Sequence, residues 1–255
     1  MRKEQVHIST IASDAAEVAF KYGVGLEIAE YCTAFNMDEY FEETDKSVRQ
    51  KISDSKTESF VFHAPFNELS PAAVDPKVLA VTKDRYIQSI RLAESYGIHR
   101  LVIHSGFSSD MYFKEWFEER SVEFWKAFFE EVPGDYTVLY ENVFEKDPEQ
   151  LLKIVQRVGN ERFKLCFDIG HANVVSRSKD VFGWLETYAP FIGHFHIHNN
   201  YGERDEHNEL FDGNIDMKAF LERASDLCPN ATYTLEVSKS EPSIKYMSEI
   251  GLFDI

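Results

Sequence analysis

The sequence predicts a (β/α)8 barrel, the TIM-barrel fold, built as a single domain over residues 1–255. Eight strand-like segments each precede a helix-like segment, and about 250 residues is the usual length of this fold. No linker rich in Pro, Gly or Ser and no break in composition divides the chain. A doubly wound open sheet is the alternative, but even βα units without a linker favour a closed barrel.

Short apolar runs predict the strands of the first half, and amphipathic segments that end at glycine predict its helices. The strands are expected at residues 6–10, 25–29, 60–64 and 100–104. Helices are expected at residues 14–22 and 38–52. A third begins at Pro76 and ends at Gly97. Its apolar face consists of Leu79, Tyr86, Ile90 and Ala93.

The same alternation continues in the second half of the chain. The strands are expected at residues 137–141, 163–168, 193–198 and 232–236. A helix over residues 112–130 carries a wide aromatic face, which suits either packing on the barrel or contact with a second subunit. The Asp147-Pro148 pair starts a helix that ends at Gly159. Further helices are expected at residues 179–188, 216–227 and 240–250.

Composition limits the cellular context and the partners. Hydrophobic residues make up 44% of the chain, including 21 Phe and 12 Tyr, which is ample for a large core. The net charge of −17, without a basic patch, argues against nucleic acid as a partner. Three widely spaced cysteines do not form a disulfide framework. Because the N-terminus lacks a signal region and no apolar run is long enough to span a membrane, we expect a cytoplasmic protein.

A histidine-rich stretch at residues 194–207 indicates a metal site. It contains four of the chain's nine histidines, and Asp205 stands two positions before His207. Alternating His and apolar residues predict a strand that points its imidazoles to one side, followed by a polar loop. Imidazoles and carboxylates at one strand end are the ligands that hold zinc, manganese or iron. A solvated loop that is merely rich in histidine is the alternative.

Polar residues at the carboxyl ends of the other predicted strands complete this site, since barrel enzymes carry their chemistry at that face. They are His63, His104, Glu141, Asp168, His171, His196, His198, Asp205, His207 and Glu236. A single histidine or glutamate at a strand end is usually only hydrogen-bonded or solvated. Three carboxylates that converge in a barrel mouth cost several kcal/mol unless they are paired or metal-bound. A divalent cation resolves this repulsion. His7, His99 and His194 are not assigned to the site, because each lies away from a strand's carboxyl end.

Seven short motifs resemble those of the xylose-isomerase-like barrel superfamily, which includes sugar (phosphate) isomerases and epimerases and endonuclease IV-type abasic-site nucleases. In order they are His63-Ala-Pro, Ile103-His104-Ser-Gly, Tyr140-Glu141-Asn142, Phe167-Asp168-Ile-Gly-His171, His196-Ile-His198-Asn-Asn, Asp205-x-His207 and Leu235-Glu236-Val. In the epimerase branch, the resemblance implies one divalent metal on Glu141, Asp168, His196 and Glu236. In the nuclease branch, it implies three zinc ions on nine ligands, which are His63, His104, Glu141, Asp168, His171, His196, Asp205, His207 and Glu236.

The nuclease branch fits the chain less well. Its loops need basic and intercalating side chains that grip bent DNA. Residues 65–76 contain no Lys, Arg or Tyr, and residues 30–37 contain no basic residue. The negative net charge repels a duplex. Residues 208–213 also depart from the Gly-Glu-Gly that is common in the superfamily, which leaves the role of this loop open.

The sequence therefore predicts a divalent-metal-dependent isomerase or epimerase of a small-molecule sugar or sugar phosphate. One to three ions of zinc, manganese, cobalt or magnesium are expected. Glu141 and Glu236 would move a proton beside a carbonyl, through an enediolate. His171, His198 and Arg204 would bind substrate oxygens. The aromatic side chains of Trp116, Phe35 and Phe66 could line the site, although aromatic residues more commonly pack in the core. A multi-zinc phosphoesterase and a non-catalytic sugar-binding barrel are the alternatives.

Overall fold

A closed barrel of eight parallel strands in sequence order forms the centre of the protein, as predicted. The computed structural model describes residues 1–253. β1 closes the barrel by pairing with both β2 and β8. The strands are β1 Val6–Ser9, β2 Gly25–Ile28, β3 Phe60–His63, β4 Arg100–His104, β5 Thr137–Glu141, β6 Phe163–Asp168, β7 Ile192–Ile197 and β8 Thr232–Leu235.

Helices surround the barrel, and each predicted helix is present with ends that differ by a few residues. They are α1 Ala15–Tyr22, α2 Phe41–Ser55, α3 Pro76–Ser95, α4 Lys114–Glu131, α5 Glu149–Val158, α6 Ile169–Val175, α7 Val181–Tyr188, α8 Met217–Leu227 and α9 Glu241–Glu249. Helix α2 starts later than predicted because residues 38–40 form a turn between it and a separate 3-10 helix at Ala34–Met37. Within the described residues, no helix is long and apolar enough to cross a membrane.

The short helix α6 was not predicted from the sequence. It follows β6 without a loop, because the Asp168 side chain accepts a hydrogen bond from the His171 backbone amide at 2.6 Å and so caps the helix. A residue proposed only as a metal ligand therefore also starts a helix. This cap fixes His171 beside the end of β6.

The layer between helices and strands holds most of the apolar core. Trp125 of α4 is fully buried, and its ring lies 5.5 Å from that of Tyr86 with the planes at 4°. Phe117 and Phe128 on the same helix are also buried, but Phe113 and Trp116 are 85% and 43% exposed. The aromatic face predicted for this helix is thus divided between core and surface.

The interior of the barrel is divided into an apolar and a polar half. Residues of β3 to β6 form a small apolar cluster, which consists of Val61, Val102, Leu139 and Cys166. The opposite half is polar and buried, and it contains His7, Glu27, His194, Thr232 and Thr234 on β1, β2, β7 and β8. The next inward position on β5, two residues beyond Leu139, is Glu141 at the carboxyl end of its strand.

Candidate metal centre

Every carboxylate and imidazole of the predicted nine-ligand set lies at the carboxyl ends of β3 to β8, in the loops that follow them or, for His171, in the first turn of α6. Nitrogen and oxygen atoms of His63, His104 and Glu141 lie within 4.8 Å of one another. The same holds for His171, Asp205 and His207. Both groups line one cavity of about 600 Å³, which also reaches Glu236.

Glu141 is the centre of the arrangement and is fully buried. Its Oε2 lies 3.3 Å from His104 Nε2 and 3.6 Å from His63 Nε2. Its Oε1 lies 3.3 Å from His196 Nδ1 and 3.4 Å from His171 Nδ1. Burial raises the pKa of Glu141, but the His104 and His196 imidazoles outweigh burial and hold this pKa well below its usual range. Glu141 is therefore a carboxylate surrounded by four imidazoles.

Asp168 is held by the strand beside it. The Asn142 side chain donates to the Asp168 backbone carbonyl at 2.9 Å and accepts from the Asp168 amide at 3.0 Å, so that the ends of β5 and β6 stay in register. Asp168 is fully buried, and His198 Nε2 lies 3.3 Å from its carboxylate. The role of Asn142 was not predicted from the sequence, although this residue stands directly after Glu141.

Backbone carbonyls fix the tautomers of three histidines. The Nδ1 atoms of His63, His171 and His207 donate to the carbonyls of Ala64, Asn142 and Glu236 at 3.0, 2.9 and 2.9 Å. Because a carbonyl only accepts, each Nδ1 carries a proton, and Nε2 is the nitrogen that could bind a metal ion once it has lost its own proton. These Nε2 atoms lie near carboxylates, at 3.6 Å from Glu141 for His63 and at 3.1 Å from Asp205 for the other two. Hydrogen bonds of this kind orient the imidazoles that bind metals.

His196 is oriented in the opposite sense. Its Nε2 lies 3.1 Å from Glu27 Oε2, below the site, while its Nδ1 lies 3.3 Å from both Glu141 and Glu236. Glu27 also accepts from the Thr234 hydroxyl at 2.8 Å. The carboxylate of Glu27 thus directs the His196 Nδ1 lone pair into the centre. Glu27 was not predicted to take part, although a glutamate in a buried apolar strand is a detectable signal.

The loop after β7 completes the site through Asp205 and His207. Asp205 Oδ2 is 3.1 Å from the Nε2 atoms of both His171 and His207. Burial lowers the pKa of His207, but Asp205 and Glu236 outweigh burial and raise this pKa to about 9. His207 also stacks on His198, with ring centroids 4.0 Å apart. The loop therefore returns to the barrel mouth instead of extending into solvent.

The residues present fit a divalent metal ion. Within the described chain, the only basic side chains within 4.0 Å of Glu141, Asp168 and Glu236 are histidines. The buried Oε2 of Glu141 has no hydrogen-bond partner. Carboxylates and oriented imidazoles without Lys or Arg form the donor set of zinc, manganese or cobalt. A cation also offsets the cost of these buried charges.

Three residues predicted to bind substrate have different positions. His171 lines the cavity. His198 is fully buried beneath the loop and lies outside the cavity lining, and Arg204 is exposed and also outside it. Among the aromatic candidates, Phe66 lines the cavity and stacks on His104 at 4.1 Å, whereas Phe35 and Trp116 do not line it.

The fold and the site together define a TIM barrel with a cluster of carboxylates and histidines, which could hold a metal ion, at the carboxyl ends of its strands. The model of the xylose isomerase-like TIM barrel family matches residues 19–250, and the chain belongs to this family. This confirms the resemblance on which the nine-ligand set was placed.

The chain is also similar to individual proteins of other organisms. The protein MJ1311 of Methanocaldococcus jannaschii is 25% identical over 205 residues, which cover 76% of this chain and 70% of MJ1311. The TTHB071 protein from Thermus thermophilus, solved after soaking with ZnCl2, is 25% identical with a TM-score of 0.77, and the match covers 97% of this chain and 98% of that protein. A D-tagatose 3-epimerase-like protein shares the fold, with 21% identity, a TM-score of 0.78 and 96% of each chain covered.

Proposed function

We propose that the protein is a divalent-metal-dependent isomerase or epimerase of a small hydroxycarbonyl compound of the sugar type. The observation that carries the proposal is the convergence of two carboxylates, Glu141 and Glu236, on one nitrogen of His196 at the floor of the cavity. Two carboxylates at one reacting centre can remove and return a proton. The epimerase-like solved structure of the same fold supports this class of reaction.

The metal would be held by Glu141, Asp168, His196 and Glu236. A divalent ion in this position supplies Lewis-acid stabilisation of the negative charge that develops on substrate oxygens. The buried side chains of Glu141, Asp168 and His196 exclude water, and hydrogen bonds to neighbouring strands or loops keep their donor atoms in place. His171, which lines the cavity, would bind a substrate oxygen.

Glu236 is the better candidate for the base that takes the proton. It is 7% exposed at the cavity surface, whereas Glu141 is enclosed by imidazoles and fully buried. Burial raises the pKa of Glu236, but His196 and His207 outweigh burial and lower it to about 2. The carboxylate is thus ionised at neutral pH and ready to accept a proton from the carbon next to the carbonyl. In an isomerisation, the protonated Glu236 would return this proton to the neighbouring carbon. In an epimerisation, Glu141 would deliver to the opposite face a proton taken from the His171 imidazole 3.4 Å away, and Glu236 would release its proton to solvent.

The test is hydrogen exchange between substrate and heavy water. The metal-loaded protein is incubated in D2O with a panel of ketoses, and NMR follows the loss of the proton next to the carbonyl. We expect exchange with the wild type, and a loss of at least about a hundredfold with Glu236→Gln. Glu203→Gln, an exposed carboxylate outside the cavity lining, is the matched control. Equal exchange in wild type and Glu236→Gln would falsify the proposal.

A second candidate, a multi-zinc phosphoesterase, is favoured by the five further ligands. His63, His104, His171, Asp205 and His207 all reach the same cavity. Elemental analysis of the purified protein separates the two functions. About one ion per chain supports the isomerase or epimerase. Two or three zinc ions together with cleavage of an abasic-site duplex support the phosphoesterase.

A further inference from the structure

We infer that the substrate carries no phosphate and places an apolar group against one wall of the cavity, which deepens the proposed function and rests on it. Six apolar side chains, here called the apolar wall, stand on the loops after β1, β3, β4 and β5. They are Ile11, Phe66, Leu69, Phe107, Val143 and Phe144. The metal-ligating residues form the floor of the same cavity.

Part of the apolar wall is rigid and part of it is exposed. Phe107 is buried and packs edge-on against Phe117, with ring centroids 5.0 Å apart. Phe66 is fixed by its stack on His104. Ile11 and Phe144, in contrast, are 51% and 55% exposed. Large apolar side chains that line a cavity and remain open to water favour a ligand that covers them.

The charges around the cavity argue against an anionic substrate. Four carboxylates line it, which are Glu68, Glu141, Asp205 and Glu236, and none of the described lining residues is Lys or Arg. The four histidines of the lining, His63, His104, His171 and His207, all belong to the floor and face its carboxylates. Two lysines on the neighbouring helices α2 and α4 are already paired, with Lys51 2.6 Å from Glu30 and Lys114 2.7 Å from Asp147. A metal ion offsets the charge of the floor only. A phosphate at the apolar wall would lose water without gaining a cationic side chain, because Asn67, Ser70 and Ser108 in the cavity lining offer only neutral donors.

The size of the cavity fits the same substrate. Its volume of about 600 Å³ is in the range that pockets for drug-sized ligands occupy, so a short-chain sugar on the floor leaves the apolar wall uncovered. The geometry thus selects an uncharged hydroxycarbonyl compound whose far end is apolar. This class differs both from sugar phosphates and from small free sugars.

Three probes that share one hydroxymethyl ketone group test the inference. They are dihydroxyacetone, dihydroxyacetone phosphate and 2-hydroxyacetophenone. They differ only in the other group on the carbonyl carbon, which is a hydroxymethyl group, its phosphate ester or a phenyl ring. Saturation-transfer NMR on the metal-loaded protein measures binding and shows which ligand protons touch the protein. We expect 2-hydroxyacetophenone to bind at least about tenfold more tightly than dihydroxyacetone, with the strongest transfer to its phenyl protons. The phosphate should bind no more tightly than dihydroxyacetone.

Variants locate the effect on the apolar wall. Phe144→Ala should reduce the preference for 2-hydroxyacetophenone to about threefold or less, because part of the apolar contact is lost. Phe113→Ala, which removes a more exposed phenylalanine outside the cavity lining, should keep the full preference. Tightest binding of the phosphate, binding of none of the probes, or an unchanged preference in Phe144→Ala would overturn the inference. If no ketose exchanges its proton for deuterium but the preference for 2-hydroxyacetophenone persists, the proposed reaction is wrong and the inference about the apolar wall stands.

Discussion

The carboxylate of Glu27 lies 3.1 Å from His196 Nε2, in the polar half of the barrel interior below the metal centre. Both side chains are fully buried. Burial raises the pKa of Glu27, but His196 and His194 outweigh burial and hold this pKa well below its usual range. An ionised carboxylate thus fixes the ring of His196 from beneath. This contact connects β2, which carries none of the nine predicted ligands, to the site.

Glu27→Gln should weaken metal binding by about 10- to 100-fold, the usual cost of removing a carboxylate that orients a metal-binding histidine. The amide can still accept a hydrogen bond through its oxygen, so the fold should persist while the negative charge is lost. Competition titration with a chromogenic zinc chelator measures the change. Glu17→Gln, an exposed carboxylate on α1, should bind zinc as the wild type does. Unchanged zinc affinity in Glu27→Gln would show that Glu27 has only a structural role.

Zinc should stabilise the folded protein, because the buried carboxylates of the centre need a cation. At about one hundred times the dissociation constant, binding adds about 2.7 kcal/mol. For a chain of this size, the Tm should rise by roughly 5–10 °C. Thermal unfolding with zinc and with a chelator measures this shift. The double variant Glu141→Gln, Asp168→Asn should lose it, since two of the three proposed carboxylate ligands are gone. A full shift in the double variant would place the zinc elsewhere.

The fold was predictable because the barrel repeats one local pattern eight times. β4, β5 and β6 have the bounds expected from their apolar runs, and the parity that puts Glu141 above Leu139 is a property of any strand. Helix α6 was not predictable in the same way. Its seven residues depend on the cap made by Asp168, and the sequence alone does not show whether this carboxylate binds metal, caps a helix or does both.

The candidate site was predictable where ligands stand at strand ends or within a recognisable motif just beyond them, such as Asp205-x-His207. The role of Glu27 was not predictable because it depends on contacts across the barrel with His194, His196 and Thr234, which are distant in the sequence. His198 and Arg204 show the opposite limit. Both lie in the histidine-rich stretch. The loop after β7 folds back over the barrel mouth, so that it buries His198 and leaves Arg204 exposed to solvent. Side-chain direction in a loop is set by tertiary packing rather than by local pattern.

Trp125→Ala should destabilise the protein by about 3–5 kcal/mol, because it leaves a large cavity between α4 and the barrel. The indole is fully buried, and it contacts Tyr86, Tyr140 and Phe163 with ring centroids 5.0–5.6 Å apart. Urea unfolding measures the loss. Phe113→Ala on the exposed side should change the free energy of unfolding by less than about 0.5 kcal/mol. Comparable losses in the two variants would contradict the assignment of Trp125 to the core.

The loop after β5 contains a buried carboxyl group that should make stability depend on pH. Glu145 is fully buried, its Oε2 accepts from the Val143 amide at 2.8 Å, and its Oε1 has no partner. Burial raises the pKa of Glu145 to about 7. In the unfolded chain its pKa is about 4.3. The folded state therefore binds this proton more tightly, and its contribution to stability is complete below about pH 4.3 and is lost as the pH rises through about 7.

Glu145→Gln should remove this loss, because the amide keeps an acceptor for the Val143 amide and never ionises. The free energy of unfolding of the variant, relative to the wild type, should increase by up to about 3 kcal/mol between about pH 4.5 and about pH 8. Urea midpoints at the two pH values, with a chelator in every sample, measure this difference. Glu130→Gln, on the exposed side of α4, should show the same difference from the wild type at both pH values. The prediction is wrong if Glu145→Gln behaves like this control, because Glu145 would then stay ionised without cost.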